Sequence, residues 1–331
     1  MPRRRFWITF CVATVALVVA VILAVTQGPS SVDAADFLTW MTGGSVSAKT
    51  QSIIVNVRLP RVLAGALAGA ALACSGALIQ EVLDNPLASP NVIGVNSGAG
   101  LAVLLASALV PHVLWLPPIA AFAGALVAAL IVFGLSVGAG VSRMGIVLAG
   151  IAITAVFGAG MNTILIVKPD AYVGASTFLV GGLSGVLLDD LRVPLAIIVC
   201  ALVCAVLVAG RLNVLKLGDA TAHALGMNVN ATRICMLCLA ALLAGAAVSF
   251  AGLLGFVGLI VPHVARFIVG HDSRFVLPVS LVGGAAFVVL CDLAARLLFA
   301  PYELPVGILM AFLGGPFFIY LILRNGRRGL D

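Results

Sequence analysis

Apolar windows of about 18 residues or more, the length that crosses a hydrocarbon core of about 30 Å, recur from Phe6 nearly to the C-terminus of this chain. They number ten, at residues 6–25, 60–80, 92–110, 116–138, 146–167, 192–210, 231–251, 253–270, 276–299 and 305–323. Inside a bilayer the polar backbone is satisfied only in helices or closed barrels, and no stretch shows the period-2 alternation of a barrel strand. The sequence therefore reads as an all-α integral membrane protein of about ten transmembrane helices, one transmembrane domain over residues 1–331. Composition agrees: 63% of residues are hydrophobic and 9% charged, where a soluble domain carries about 25% charged residues. A further apolar piece near 175–187, containing FLVGGLSGVL, is too short to span and reads as a half-helix or re-entrant segment at one surface.

Lys and Arg set the orientation, because cytoplasmic loops retain positive charge. With the N-terminus inside, twelve of the eighteen basic residues fall on the inner side and six on the outer. Both termini are thus expected in the cytoplasm, and the formal charge of +6 is mostly topology. A nucleic-acid partner has little support. The MPRRR start followed by an apolar run resembles a signal peptide. The run from Phe6 to Val25 is nevertheless longer than a usual signal core, and Ala24-Val25-Thr26-Gln27-Gly28 is a weak cleavage site, so a retained first helix is expected. In the outer segment that follows, Asp33 is placed to cap a short amphipathic helix with Trp40 as an interfacial anchor.

Enzyme signatures are missing where they would be needed. There is no HExxH, no nucleophile elbow and no close pair of mid-span carboxylates, and Lys49, Lys168 and Lys216 lack the GxxxxGK[ST] context that cradles phosphates. A pump built on this chain needs a motor on another polypeptide. The seven cysteines lie inside apolar spans, and the four histidines have no ligand-like spacing, so no metal site and no bound cofactor is indicated. Small residues recur at Gly65 and Gly69, Gly158 and Gly160, Gly252 to Gly258, Gly283 and Gly284, and Gly314 and Gly315. Such positions let membrane helices approach closely. Gly181, Gly182 and Gly185 instead break a helix at a boundary, where irregular backbone is tolerated if it lines a cavity.

The segment Arg58–Gly100 joins a pair of arginines, a span rich in small residues, the polar Asn85-Pro86-Leu87-Ala88 turn and a second span. It resembles the second-helix region of permease subunits of type II ABC importers, which bring iron-siderophores, haem or vitamin B12 into bacteria. Leu217–Met227 (LGDATAHALGM), Gly252–Arg274, and Glu303-Leu304-Pro305-Val306-Gly307 with Gly314-Gly315-Pro316 resemble further blocks of that family in the right order, giving a family-like core over about 58–325.

The resemblance implies the type II importer permease fold in the bacterial cytoplasmic (inner) membrane. Two permeases, a homodimer or a pair of paralogues, would form the pathway in the lipid bilayer. Two ATP-binding subunits using ATP and Mg would attach inside, and a substrate-binding protein would dock outside. By position, Arg58, Arg61 and Arg296 would meet carboxylates of the binding protein as exposed, bidentate donors; alternatively they anchor helix ends, Arg296 pairing with Asp292 one turn earlier. The inner block Leu217, Gly218, Asp219, Ala220, Thr221, Ala222, His223, Ala224, Leu225 and Gly226 would insert into the ATPase, although Ala220 stands where a glutamate is often found. Gly158, Met161, Asn162 and Leu165 would line the pathway, with Asn85, Pro86, Leu87, Ser142 and Arg143 as inner gates. The expected cargo is a ferric siderophore, with haem or cobalamin as alternatives. An ion-coupled secondary transporter is the competing class, but it normally needs buried ionisable groups near mid-bilayer, and the charges here cluster at span ends.

Overall fold

The computed structural model describes residues 2–28, 32–113, 115–138 and 143–326, and every regular element among them is helical. The first helix, α1 (Pro2–Thr26), is followed by the short α2 (Ala34–Met41), whose start is fixed as expected by a capping box. The Asp33 carboxylate accepts from the Asp36 N–H at 2.9 Å, and Asp36 accepts from the Asp33 N–H at 3.3 Å.

The second expected span begins earlier than its apolar run. Helix α3 (Ala48–Ile53) continues through a π turn (Ile54–Arg58) into α4 (Leu59–Leu83) as one helix of 36 residues. At 1.5 Å per residue it is about 54 Å long, so its polar first third extends beyond an apolar core of about 30 Å. Arg58 and Arg61 consequently sit within a helix, and not at a chain threshold.

A single 3-10 turn (Pro90–Ile93) leads into α5 (Val95–Leu109), and α6 (Leu116–Gly138) and α7 (Arg143–Val167) follow. Pro169 cannot continue α7 and favours extended backbone before it. The expected short piece is α8 (Ala171–Val180), shifted toward the N-terminus, with irregular chain over 181–187. Next come α9 (Leu188–Leu215), α10 (Asp219–Ala224), α11 (Val229–Ala251), α12 (Val257–Val269), α13 (Ser273–Leu297) and α14 (Val306–Gly326). Seven helices among the described residues are long and apolar enough to cross a membrane: α1, α3–α4, α6, α7, α9, α11 and α13. The remaining three expected spans are α5 and α12, apolar but shorter, and α14, a helix of 21 residues whose apolar part counted among the described residues is Val306–Leu321.

The break before α12 shows how a short helix survives at membrane depth. The Leu253 N–H donates to Phe178 O at 3.0 Å, the Gly182 N–H to Ala251 O at 3.0 Å, and the Gly307 N–H to Gly181 O at 3.1 Å. The open ends of α8, α11 and α14 thus satisfy one another inside the protein, which is where irregular backbone is tolerated. Glycine is required there: Gly181 and Gly252 have φ of 79° and 69°, and a Cβ on Gly307 would lie 2.1 Å from Val180 O.

Helix α4 is the centre of the bundle. Of its most apolar window 83% is buried, against 11% for α7, so α4 is the buried post and α7 stands at the periphery. Backbones approach α4 closely because both partners lack side chains. A Cβ on Gly69 would sit 2.1 Å from Gly284 O on α13, and one on Gly76 would sit 1.9 Å from Gly258 O on α12. Apolar lipid leaves no hydrophobic drive between helices, so this backbone-to-backbone packing supplies the cohesion. Gly158 differs, with open space around it. Gly76→Ala should therefore lower stability by about 1–3 kcal/mol or more through overpacking, whereas Gly158→Ala should change it by less than about 0.5 kcal/mol. Thermal unfolding of the detergent-purified variants measures both, and equal melting temperatures would contradict the packing described.

Candidate functional site

Arg61 and Glu81 lie twenty residue steps apart on α4, about 30 Å at 1.5 Å per residue, which is the thickness of a hydrocarbon core. Each residue is buried, and each is the hub of an ionic cluster.

At the first end, Arg61 Nε donates to both Asp292 oxygens at 3.0 Å, and its Nη1 lies 2.6 Å from Glu303 Oε2. Arg296 Nε lies 3.1 Å from Asp292 Oδ2, the one-turn pairing expected from sequence. Arg58 Nη1 and Nη2 donate to Val25 O and Val32 O at 2.5 and 2.9 Å, and Arg296 Nη2 donates to Ala24 O at 3.1 Å. The carbonyls of Ala24 and Val25 belong to the last turn of α1, where the helix leaves acceptors unmatched and its dipole is negative. Two arginines from distant parts of the chain thus close the end of α1.

The expected exposure of Arg58, Arg61 and Arg296 is corrected by this geometry, since they are 3%, 7% and 3% exposed and hold internal partners. An arginine at a membrane interface usually reaches headgroups with its long side chain. Here the carboxylates and open carbonyls lie inward and draw the guanidinium groups in.

At the other end, Glu81 receives two cations. Lys216 Nζ lies 2.5 Å from Glu81 Oε2, and Arg266 Nη1 lies 3.1 Å from Oε1. Lys216 also donates to His271 O and, at 3.0 Å, to Ser273 Oγ. Asn213 bonds both Asp272 Oδ1, at 2.6 Å, and the Ser273 N–H, at 2.9 Å. The ends of α4, α9, α12 and α13 are therefore clasped around one carboxylate. Sequence reading passed over Glu81, whose signal was a lone acid closing an otherwise apolar span.

Lys216 ends α9, and the expected inner block follows at once. Gly218 and Gly226, with φ of 92° and 79°, bracket α10. Only Ala222 of α10 is buried, whereas Leu217 and Leu225 are 58% and 64% exposed. Arg233 on α11 anchors the segment through Asp219 at 2.8 Å. A hollow of about 620 Å³ lies beside it, lined by Asp219, His223, Gly226 and Met227–Asn230. A short helix held at one point, with free glycine hinges and apolar side chains facing out, suits a surface that a second protein grips.

Directly after α4, the Asn85 turn is set by Asp84 in the left-handed region (φ 50°) and by the Asn85 carbonyl-bearing side chain, which accepts from the Leu87 N–H at 2.9 Å. Asn85 and Pro86 are exposed and Leu87 half-buried. Ser142 and the side chain of Arg143 lie outside the described residues. On α7, Asn162 is exposed and Gly158 half-buried, while Met161 and Leu165 pack on the core. The four expected lining residues, spaced i, i+3, i+4 and i+7, thus form one stripe whose Met161–Leu165 edge turns toward the core and whose Asn162 edge is exposed. A separate cavity of about 840 Å³ lies between α8 and the starts of α6 and α9, with Asp170, Thr177 and Ser249 among its lining residues and none of the four.

This architecture, a many-spanning helical bundle around a buried post with a short exposed helix between two glycines, is that of a membrane permease subunit. The profile of the FecCD transport family matches residues 16–324. The Fe(3+) dicitrate transport system permease protein FecC of Escherichia coli is 40% identical over 313 residues, covering 89% of this chain and 90% of that protein. The hemin transport system permease protein HmuU of Yersinia pestis is 39% identical over 316 residues, covering 93% and 94%. The cobalamin import system permease protein BtuC of Halobacterium salinarum is 40% identical over 281 residues, covering 85% and 76%. A solved structure described as an inward-facing conformation of a metal-chelate type ABC transporter superposes with a TM-score of 0.84 at 26% identity, covering 95% of this chain and 98% of that one. The chain belongs to the FecCD transport family, with the fold of a type II ABC importer permease, and is a multi-pass protein of the inner membrane.

The buried cluster at Arg61 should dominate stability over any surface pair. Asp292→Asn leaves two guanidinium groups without their shared anion and should cost about 3–5 kcal/mol. Asp189→Asn, which removes an ion pair to Arg192 with both side chains more than 75% exposed, should leave unfolding unchanged. Chemical or thermal unfolding in detergent compares the two, and equal effects would contradict the network.

Proposed function

We propose that this permease carries a ferric siderophore inward, driven by two copies of a separate ATP-hydrolysing subunit that grip α10. The family membership supports an ABC importer of iron chelates, haem or cobalamin. The observation that carries the coupling role is α10 itself, hinged at Gly218 and Gly226 and presenting Leu217 and Leu225 outward. In this reading both termini lie in the cytoplasm, Glu81 and α10 face inward, and a second permease, a copy or a paralogue, completes the pathway along α7. The α7 face with Gly158 and Asn162 bears small side chains and an amide, which suits passage of a bulky chelate without a tight grip. ATP and Mg are used by the partner, and this chain binds neither.

Leu217→Asp with Leu225→Asp alters only exposed side chains, so insertion should be normal while co-purification of the ATPase and uptake both fall on the order of tenfold or more, by loss of apolar contact area. Retained association would remove α10 from the interface. In proteoliposomes holding the permease, ATPase and binding protein, ATP-dependent accumulation of a ferric siderophore, with hemin and cobalamin offered in parallel, decides the cargo. Accumulation of hemin or cobalamin alone would overturn the siderophore assignment.

A substrate-binding protein is proposed to dock on the side of Arg58, Arg61 and Arg296. Three cations there are balanced by Asp292, Glu303 and, beside Arg58, Asp36, so that removing any one carboxylate leaves a net positive side that suits an acidic partner. Glu303, 33% exposed at its side chain, competes for Arg61. Glu303→Gln should therefore tighten binding-protein affinity several-fold if Arg61 takes part in docking. Affinity measured in nanodiscs that is unchanged or weaker would place docking elsewhere.

A further inference from the structure

We propose that the Lys216–Glu81 ion pair transmits movement of α10 to the Asn85–Leu87 turn, so that Lys216 and Glu81 are positioning residues for energy coupling. The proposal rests on the reading of α10 as the ATPase contact.

Lys216 is the last residue before the Leu217–Gly218 hinge into α10. A displacement of α10 that bends the chain at Gly218 pulls first on Lys216, whose ammonium group is bound to Glu81 at 2.5 Å. Glu81 is joined in turn to the gate: the Asn85 N–H donates to Gln80 O at 3.0 Å and the Asp84 N–H to Glu81 O at 3.4 Å. Only one side-chain contact therefore separates the hinge from the backbone that holds the turn. Arg266 and Ser273 tie the same point to α12 and α13, so the clasp joins the ends of four helices.

Two further atoms suggest a second arrangement. Arg266 Nη2 and Gln80 Oε1 are buried without a hydrogen-bond partner among the described residues. Buried polar groups are normally paired, and a cluster that holds an unused donor and an unused acceptor can exchange partners without creating a new unpaired charge. Such a two-state element is what coupling between distant sites requires, since spatial proximity alone does not establish it.

Lys216→Met keeps the length and apolar stem of a side chain that is 24% exposed, so the fold should persist, and Lys216→Arg keeps the charge. Both are reconstituted with the ATPase and binding protein, and ATP hydrolysis and uptake are measured in the same vesicles. Leu87→Cys in a cysteine-free background is labelled with and without ATP plus vanadate. Lys216→Met should hydrolyse ATP within about twofold of the parent while uptake per ATP falls about tenfold, within the usual 5–150-fold range of coupling. Thiol labelling at position 87 should lose its nucleotide dependence in that variant, and Lys216→Arg should behave as the parent. Unchanged uptake per ATP in Lys216→Met overturns the proposal. So does a parallel fall of hydrolysis and uptake with dissociation of the ATPase, which would make Lys216 a structural tie. If the parent permease itself neither binds the ATPase nor supports ATP-dependent uptake, the α10 reading has failed, which is a different result.

Discussion

The bundle depends on a helix that carries a buried base at one end and a buried acid at the other, about 30 Å apart. A charge within hydrocarbon is costly, and both are stable only because partners surround them. Arg61 is clasped by Asp292 and Glu303, and Glu81 by Lys216 and Arg266. The two clusters fix the vertical register of α4, because sliding it by one turn would pull both charges off their partners. Between them α4 is free to be small and apolar, and the chain uses that freedom at Gly69 and Gly76 to bring α13 and α12 to backbone contact. Polar ends thus set the position of α4, and glycines in the middle supply its cohesion.

The same division explains why some helices are short. Helix α12 has 13 residues, about 20 Å, and cannot cross the core alone. The irregular chain before it is sheltered by main-chain bonds to α8 and α11. Phe256, at φ 64°, lies against the Gly314 backbone, where a Cβ would come within 2.0 Å of its ring. A left-handed phenylalanine costs of order 1–3 kcal/mol, and it is held by the close fit to α14. The cavity-side break is therefore built on glycine pairs and not on flexibility.

What could be read from the sequence follows from how local each feature is. Apolar length is local, so the positions of the spans were legible to within a few residues, and the cap at Asp33 and the Asp292–Arg296 pair, one turn apart, were legible for the same reason. The extension of α4 back to Ala48 was not, because Lys49, Gln51 and Asn56 give that stretch no apolar run. Nor were the arginine partners. The bond from Arg61 to Asp292 spans 231 positions and that from Arg296 to Ala24 spans 272. An arginine next to an apolar run looks the same in sequence whether it faces headgroups or the open end of another helix.

The coupling segment shows the converse: its composition was legible while its mechanics were not. Gly218 and Gly226 stand out in the sequence, but only the fold shows that both adopt left-handed backbone with nothing packed against them. Asp219 holds α10 to α11 through Arg233, and Lys216 holds the preceding helix end to α4 through Glu81. A push on α10 is therefore opposed by two ion pairs at its N-terminal side, while its middle is anchored by Ala222. Motion transmitted from that side leaves through one of those two pairs, and from the other side through the Gly226–Asn228 link into α11. Arg233 leads into α11, which is packed along its length against α4 and α9, whereas Lys216 leads to a carboxylate one turn from a turn whose Asn85 and Pro86 are exposed. In the proposed coupling route the Lys216 branch is the productive one because it ends at an exposed turn and the Arg233 branch in a packed helix.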